Sequence, residues 1–262
     1  MGEAPDHRRL AAEVLGIRNA PPELARRLVA QALVVEDRRA AWQQAGDRIA
    51  AAAPPLPGVY VLRDGQGRAL YVGKAVNLRR RLRAHFADRR WPGLKPGFAR
   101  AEKAEWRRVG SELEALLREA ELIAALRPPL NVQVGTPRMT TRALPPALRR
   151  DVVVVVPSVE ADSVELVAAR VEEGGWLIQQ TRRSGADLAA HAARLTRFFR
   201  SPLRSRFAGA GLAPIVFSWL AGRGAGATRL DPDDAGSAAE LRRRLRVLLA
   251  DERLFAERLV VR

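Results

Sequence analysis

The chain has only 2 tyrosines, and both fall in one stretch, GVYVLRDGQGRALYVGK, which runs from Gly58 to Lys74 and carries Tyr60 and Tyr71. Lys74 closes that stretch in a chain whose other basic side chains are almost all arginine, the remaining lysines being Lys95 and Lys103. A phenol with an ordinary pKa of ~10 is a poor base at neutral pH unless neighbouring cations lower it. Lys74 and Arg81 are cations that would act in that direction beside a phenol. His85 follows Arg81 by four residues, so the two share a helix face, and an imidazole can take a proton near neutral pH. Arg79, Arg80 and Arg83 point elsewhere from the same run, and their position directly after the tyrosine stretch favours phosphate contact over a merely solvated face. Glu119 is a carboxylate in a fixed helical position further along the chain. Asn131 is one of only three asparagines, with Asn19 and Asn77.

These side chains need a scaffold, and the local signals supply one. Val59, Val61 and Leu62 form one β-rich run and Leu70, Tyr71 and Val72 another. Asp64-Gly65-Gln66-Gly67 between them is a hairpin turn signal. Asn77 is an N-cap for a helix from Leu78 to about Ala87, with Leu78, Leu82 and Phe86 as its buried stripe. Trp91 to Gly97 reads as a loop, and a third strand is expected near Ala104 to Val109. Ser111 and Glu114 have capping-box spacing and open the helix SELEALLREAELIAALR, with Leu113, Leu116, Leu117, Ala120 and Ile123 as its stripe. That helix stops at Pro128-Pro129, and Leu130-Asn131-Val132 follows as an extended piece.

In front of the hairpin, residues 1–53 read as helical. Leu10, Val14 and Ile17 form one apolar stripe; Leu24, Leu28, Ala32 and Leu33 form another; and Arg38 to Ala51 is a third helix. Behind it, residues 136–150 have the Pro, Thr and Arg content of a linker that few packed contacts should cross. The remainder, 151–262, reads as an α/β unit. Strands are expected at Val152 to Val156, Val164 to Val171 and Trp176 to Gln180, with a turn at Glu172 to Gly175. A helix follows from Ala186 to Phe199, then a loop-rich stretch from Gly209 to Asp234, then a helix from Ser237 to Glu257. The expected fold is α+β: a helical N-terminal region, a small mixed or antiparallel sheet flanked by helices over 54–135, and the C-terminal α/β unit.

The formal net charge is +16 over 262 residues. Such an excess predicts a polyanionic partner, because each cation placed near a phosphate releases a condensed counterion. Charge alone does not separate DNA from RNA. The absence of cysteine excludes disulfides, zinc–cysteine sites and thiol catalysis. No apolar run is long enough to span a membrane and the N-terminus lacks a signal-peptide stretch, so a cytoplasmic location is expected.

Gly58-Val59-Tyr60, Tyr71-Val72-Gly73-Lys74, Asn77-Leu78 with Arg81, SELEALLREAELI and Pro129-Leu130-Asn131-Val132 together resemble the GIY-YIG endonuclease domain. The likeness is greatest to the version at the front of UvrC, the excision-repair nuclease subunit, and to its Cho-type relatives. It covers about Pro57 to Val134. It implies a divalent-metal-dependent DNA endonuclease acting in repair or on unusual DNA, with DNA and other repair proteins as partners and no small-molecule cofactor. It also implies that Glu119 holds a single Mg²⁺ or Mn²⁺ ion, that Tyr60 helps deprotonate the attacking water, and that Tyr71 and Lys74 orient the nucleophile or phosphate. Arg81 would clamp the phosphate and Asn131 would hold the geometry. One carboxylate with waters suits a single Mg²⁺, whereas two-metal sites gather several. His85 stands where the UvrC pattern usually has a tyrosine, which leaves Tyr60 and His85 as rival bases. A catalytically inactive DNA- or RNA-binding module built on the same domain is the alternative.

Beyond Val134 the likeness ends, with no helix-hairpin-helix pair and no second acidic core. In 151–262, Glu160, Asp162 and Glu165 fall in loops and on an alternating strand without metal-ligand spacing. His191 reads as structural. Arg194, Arg197, Arg200, Arg204 and Arg206 cluster at one helix end and Arg242, Arg243, Arg244 and Arg246 at another. The unit is therefore expected to engage DNA or a partner without chemistry of its own.

Overall fold

The computed structural model describes residues 6–37, 39–87, 96–131, 150–170, 175–201, 213–222 and 224–256. Three helices lead the chain: α1 (His7–Glu13), α2 (Pro22–Asp37) and α3 (Arg39–Ala52). The hairpin follows as β1 (Gly58–Arg63) and β2 (Ala69–Ala75). The Asp64 carboxylate closes its turn by accepting from the backbone N–H of Gln66 at 3.0 Å and of Arg68 at 2.9 Å. After β2 come α4 (Leu78–Ala87), a 3-10 turn (Pro96–Arg100), β3 (Lys103–Arg108) and α5 (Glu112–Leu126). β1 pairs antiparallel with β2 on one edge and β3 on the other, giving the order β2-β1-β3.

One face of this sheet is covered by α3 and α4. Leu78, Leu82 and Phe86 of α4 meet Trp42 and Ile49 of α3 over Tyr60 and Leu62. The other face is covered by α5, where Ala115 and Leu122 meet Val59 and Val109. No helix among the described residues is long and apolar enough to cross a membrane.

The C-terminal half builds a second antiparallel sheet from β4 (Val152–Pro157), β5 (Ser163–Ala169), β6 (Trp176–Arg182) and β7 (Thr228–Leu230), in the order β6-β5-β4-β7. Its helices are α6 (Leu188–Arg200), α7 (Ala213–Ala221), α8 (Ala238–Leu249) and α9 (Arg253–Ala256). Val153, Val155, Val164, Leu166 and Ala168 point to α6, α8 and α9. Val152, Val154, Val156 and Val167 point the other way, onto Trp219 and Leu220 of α7 and onto Leu113 and Leu117 of α5. The helix that covers the first sheet therefore also covers the second. The layers run α3/α4, first sheet, α5 with α7, second sheet, α6/α8.

Several expectations are corrected by this packing. Few packed contacts are expected across 136–150, and α5 packs against both sheets. Gly209 to Asp234, loop-rich by composition, contains α7 and β7. β5 was read as alternating; it is buried on both faces because α5 supplies the missing cover. α1 is shorter than the Leu10–Ile17 stripe implied, leaving Val14 73% exposed, and the buried side of α2 is Ala25 and Val29, while Leu24 and Leu33 are exposed. Leu130 and Asn131 sit in a turn instead of an extended piece. Trp91 to Lys95, residues 132–149, the turn residues 172–174, Arg204 and Arg206 lie outside the described residues.

The joint between the two halves is polar at one point. Val159 N–H donates to the Gly110 carbonyl at 2.7 Å, and Trp219 Nε1–H donates to Glu112 at 3.2 Å. Glu165 of β5, 1% exposed, reaches the first turn of α5 and bonds Ser111, Glu114 and the Gly110 backbone. A Cβ at Gly110 would collide with the Glu165 carboxyl, so this close approach requires glycine. Burial and the neighbouring Glu114 carboxylate push the Glu165 pKa up to about 8.

Candidate active site

Register places the two phenols together. Tyr60 lies opposite Gly73 and Leu62 opposite Tyr71 across the β1–β2 ladder, so both tyrosines rise on the α4 face of the sheet. Their ring centroids are 6.1 Å apart. Gly73 makes room for them: a Cβ there would stand 2.6 Å from the Tyr60 hydroxyl and 2.8 Å from the Tyr71 ring.

From α4, His85 is buried against Tyr60, and its Nε2 shares a 2.5 Å hydrogen bond with the phenol oxygen. Arg81, one turn earlier, reaches both tyrosine hydroxyls. Burial opposes the Arg81 charge, but the tyrosines hold its pKa above the ordinary value. Tyr60 is buried enough that desolvation, reinforced by Tyr71, pushes its pKa far above that of a free phenol, against the pull of Arg81. Desolvation and the Glu119 charge raise Tyr71 in the same direction.

Glu119 approaches from α5. It accepts from the Lys74 backbone N–H, and burial raises its pKa while Lys74 and Arg81 oppose the rise. Tyr60, Tyr71, Lys74, Arg81, His85 and Glu119 thus converge at one end of the hairpin. Among the described residues no set of three or more His, Cys, Asp or Glu side chains is grouped to hold a metal ion, so Glu119 is the carboxylate available here.

Asn131 acts at a different place. β2 is an edge strand, and its free backbone needs a partner. The Asn131 Oδ1 accepts from Val72 N–H and its Nδ2–H donates to the Val72 carbonyl, both at 2.8 Å. Leu130 N–H donates to the Leu70 carbonyl at 3.1 Å. The segment after α5 therefore pins the strand that carries Tyr71 and Lys74. Arg79 is turned to the Ala53 carbonyl at 2.8 Å, tying α4 to the end of α3, while Arg80 and Arg83 are exposed.

Sequence reasoning missed Phe98. It is 1% exposed, with its ring 5.2 Å from Tyr71 and stacked on His85 at 5.8 Å. It walls the site on the side of the 3-10 turn, and nothing in its Pro/Gly-rich surroundings signals that. Gly73 was visible within the Tyr71 motif but its role depends on register.

A family profile described as the UvrC-like GIY-YIG domain matches residues 56–132. All the side chains just placed lie within that span. Residues 56–132 are a UvrC-like GIY-YIG domain. The UvrABC system protein C of Methanothermobacter thermautotrophicus is 38% identical over 81 residues, and that of Paenarthrobacter aurescens 47% identical over 83 residues. These alignments cover 31% and 30% of this chain but only 14% and 12% of those proteins. The crystal structure of the GIY-YIG N-terminal endonuclease domain of UvrC from Thermotoga maritima, bound to magnesium as its catalytic divalent cation, is 32% identical. It is matched over 91% of its length and 32% of this chain, with a TM-score of 0.29. The profile match accounts for β1 to α5 and for the Asn131 turn; the second sheet and its helices fall outside it.

Proposed function

We propose that this protein is a divalent-metal-dependent DNA endonuclease acting in repair or on unusual DNA structures. The observation that carries this reading is the convergence of Tyr60, Tyr71, Lys74, Arg81, His85 and Glu119 on one end of the hairpin. The relatives' names and the magnesium of the Thermotoga maritima domain support the same class. Other repair proteins would be its partners.

The donor chemistry fits Mg²⁺ or Mn²⁺. Glu119 offers one oxygen ligand at the rim of a partly buried site, and such ions keep several waters of their own. Glu119 would hold the ion, which when bound supplies charge neutralisation at the phosphate. Arg81 would clamp a phosphoryl oxygen, and Lys74 would add a second cation. Tyr60 is too strongly held in its neutral form to serve as a preformed phenolate. Its bond to His85 offers another route: as the phenol oxygen takes a proton from the attacking water, its own proton passes to His85 Nε2. His85 is then the terminal base and Tyr60 the relay. Phe98 and Gly73 hold that pair in register.

Incubation with supercoiled plasmid and a panel of flap, nicked and damaged duplexes, with Mg²⁺ or with chelator, tests the reading. Metal-dependent nicking is expected. Binding without cutting under every metal condition overturns it in favour of an inactive nucleic-acid-binding module.

A further inference from the structure

We propose that the outward face of α6 and α8 is a second phosphate-binding surface that takes the backbone of duplex DNA, remote from the Tyr60–Glu119 site. The choice of partner rests on the nuclease reading above; the surface itself rests on its geometry.

The two helices lie side by side and antiparallel. Leu188 at the start of α6 is beside Leu249 at the end of α8, around Gly185. At the other end, Arg200 donates to the Gly236 carbonyl just before α8, at 2.6 Å. Both helices turn their leucines to the second sheet, so their remaining faces form one surface on the outermost layer. Arg194, Arg197, Arg200, Arg242, Arg243 and Arg246 are all exposed on it. α6 contains no carboxylate, and the Glu240 of α8 is engaged by Arg243 and Arg244. Arg194, Arg197, Arg242 and Arg246 are left with neither an ion pair nor a side-chain hydrogen bond among the described residues. Elsewhere arginines find carboxylates, as in Arg9–Glu13, Arg68–Asp64, Arg118–Glu114 and Arg183–Glu252.

The floor between these guanidinium groups is low. Ala189, Ala190 and Ala193 occupy exposed positions of α6, so a flat polyanion can approach closely. A helix of 13 residues is about 20 Å long, which matches roughly six phosphates along one strand of a duplex. Guanidinium forks pair well with phosphate and shed water readily. An anionic membrane would call for large apolar side chains to insert, and the one large exposed apolar side chain on these two helices is Val247. The second sheet, α5 and the first sheet stand between this surface and the tyrosines, roughly 30 Å at ~10 Å per layer. DNA held here is therefore held independently of the reacting phosphate.

The test uses the full chain in chelator, so that binding is read without cutting. Affinity for a duplex of about 30 base pairs is measured against salt for the wild type and for the variant carrying Arg194→Gln, Arg197→Gln, Arg242→Gln and Arg246→Gln together. Four lost phosphate contacts should make the slope of log K against log salt shallower by about 3.6. A loss of two or more supports the proposal; any smaller loss overturns it. Lysine at the same four positions should restore most of the slope. Loss of binding to phosphatidylserine vesicles with an unchanged DNA slope assigns the face to a membrane and also overturns the proposal. A wild type that never nicks plasmid, with the slope still lost in the variant, would sink the nuclease reading and leave this surface standing.

Discussion

The two sheets of this protein are both antiparallel, both covered on both faces, and share one helix, yet among the described residues it is the first that brings Tyr60, Tyr71, Arg81, His85 and Glu119 together. In the first sheet, small residues and an edge strand leave space at one end. Gly73 vacates room for two phenols, and the free edge of β2 admits Asn131. In the second sheet, β4 is a run of valines buried on both sides, and β5 is buried along its whole length. Its one buried carboxylate, Glu165, is spent on the joint with α5. In the first sheet the packing is interrupted by groups that must be hydrogen-bonded; in the second it is continuous.

The largest expected effect would sharpen that division. Glu119→Gln should lower metal-dependent nicking by at least about a thousandfold, some 4 kcal/mol of barrier. Its urea-unfolding midpoint should stay near that of the wild type, because Glu119 is only partly buried and the glutamine carbonyl can still accept from the Lys74 N–H. Nicking at the wild-type rate would remove Glu119 from the chemistry.

The next effect tests the sharing of α5. Leu117 faces the second sheet although it sits two residues from Glu119 on the same helix. Leu117→Ala should cost about 2–5 kcal/mol of stability through the cavity it leaves. At a temperature where the variant is still folded, nicking per folded molecule should remain close to normal. A stability loss under about 1 kcal/mol would mean that α5 is not held by the second sheet, and the two halves would then be independent.

Legibility in the sequence followed the same division. The hairpin, the Asn77 cap, the α4 stripe and the Ser111 N-cap are local signals, and each lies where the residues placed it. The convergence of Tyr60, Tyr71, Arg81 and Glu119 was legible through its resemblance to a known domain. What was not legible depends on contacts distant in sequence. α7 is apolar nearly all round because it is wedged in an inner layer, so it carries no helical period to read. Glu165 resembled a solvent-facing strand residue because the helix that covers it belongs to the other half of the chain. Even the capping box differs in detail: Ser111 accepts from Glu114 N–H at 3.1 Å as expected, but Glu114 reaches one residue further back, to Gly110 N–H at 2.9 Å.

The smallest effect, counted per pH unit, concerns that joint. Burial, then the Glu114 carboxylate, raises Glu165 from an ordinary 4.5 to about 8 in the folded protein. The folded state therefore binds this proton more tightly than the unfolded state does. Between those two values the native protein holds more protons, so stability must fall as pH rises, by at most about 1.4 kcal/mol per pH unit for one group. Below the lower value the benefit of the protonated carboxyl is complete; above the upper one it is gone, and Glu165 carries a buried charge next to Glu114. Glu240 behaves oppositely: held down to about 2 by Arg243 and Arg244, it loses its favourable pairing only in acid, well below this window. The difference between the wild type and Glu165→Gln isolates the joint, since the amide can still donate to Glu114 but does not titrate. Urea unfolding of both proteins at pH 5, 6, 7 and 8 should show the wild type losing ground to the variant steadily. A difference that stays flat across that range would mean that Glu165 is ionised throughout, and that the α5 N-terminus and Ser111 stabilise its charge more strongly than Glu114 opposes it.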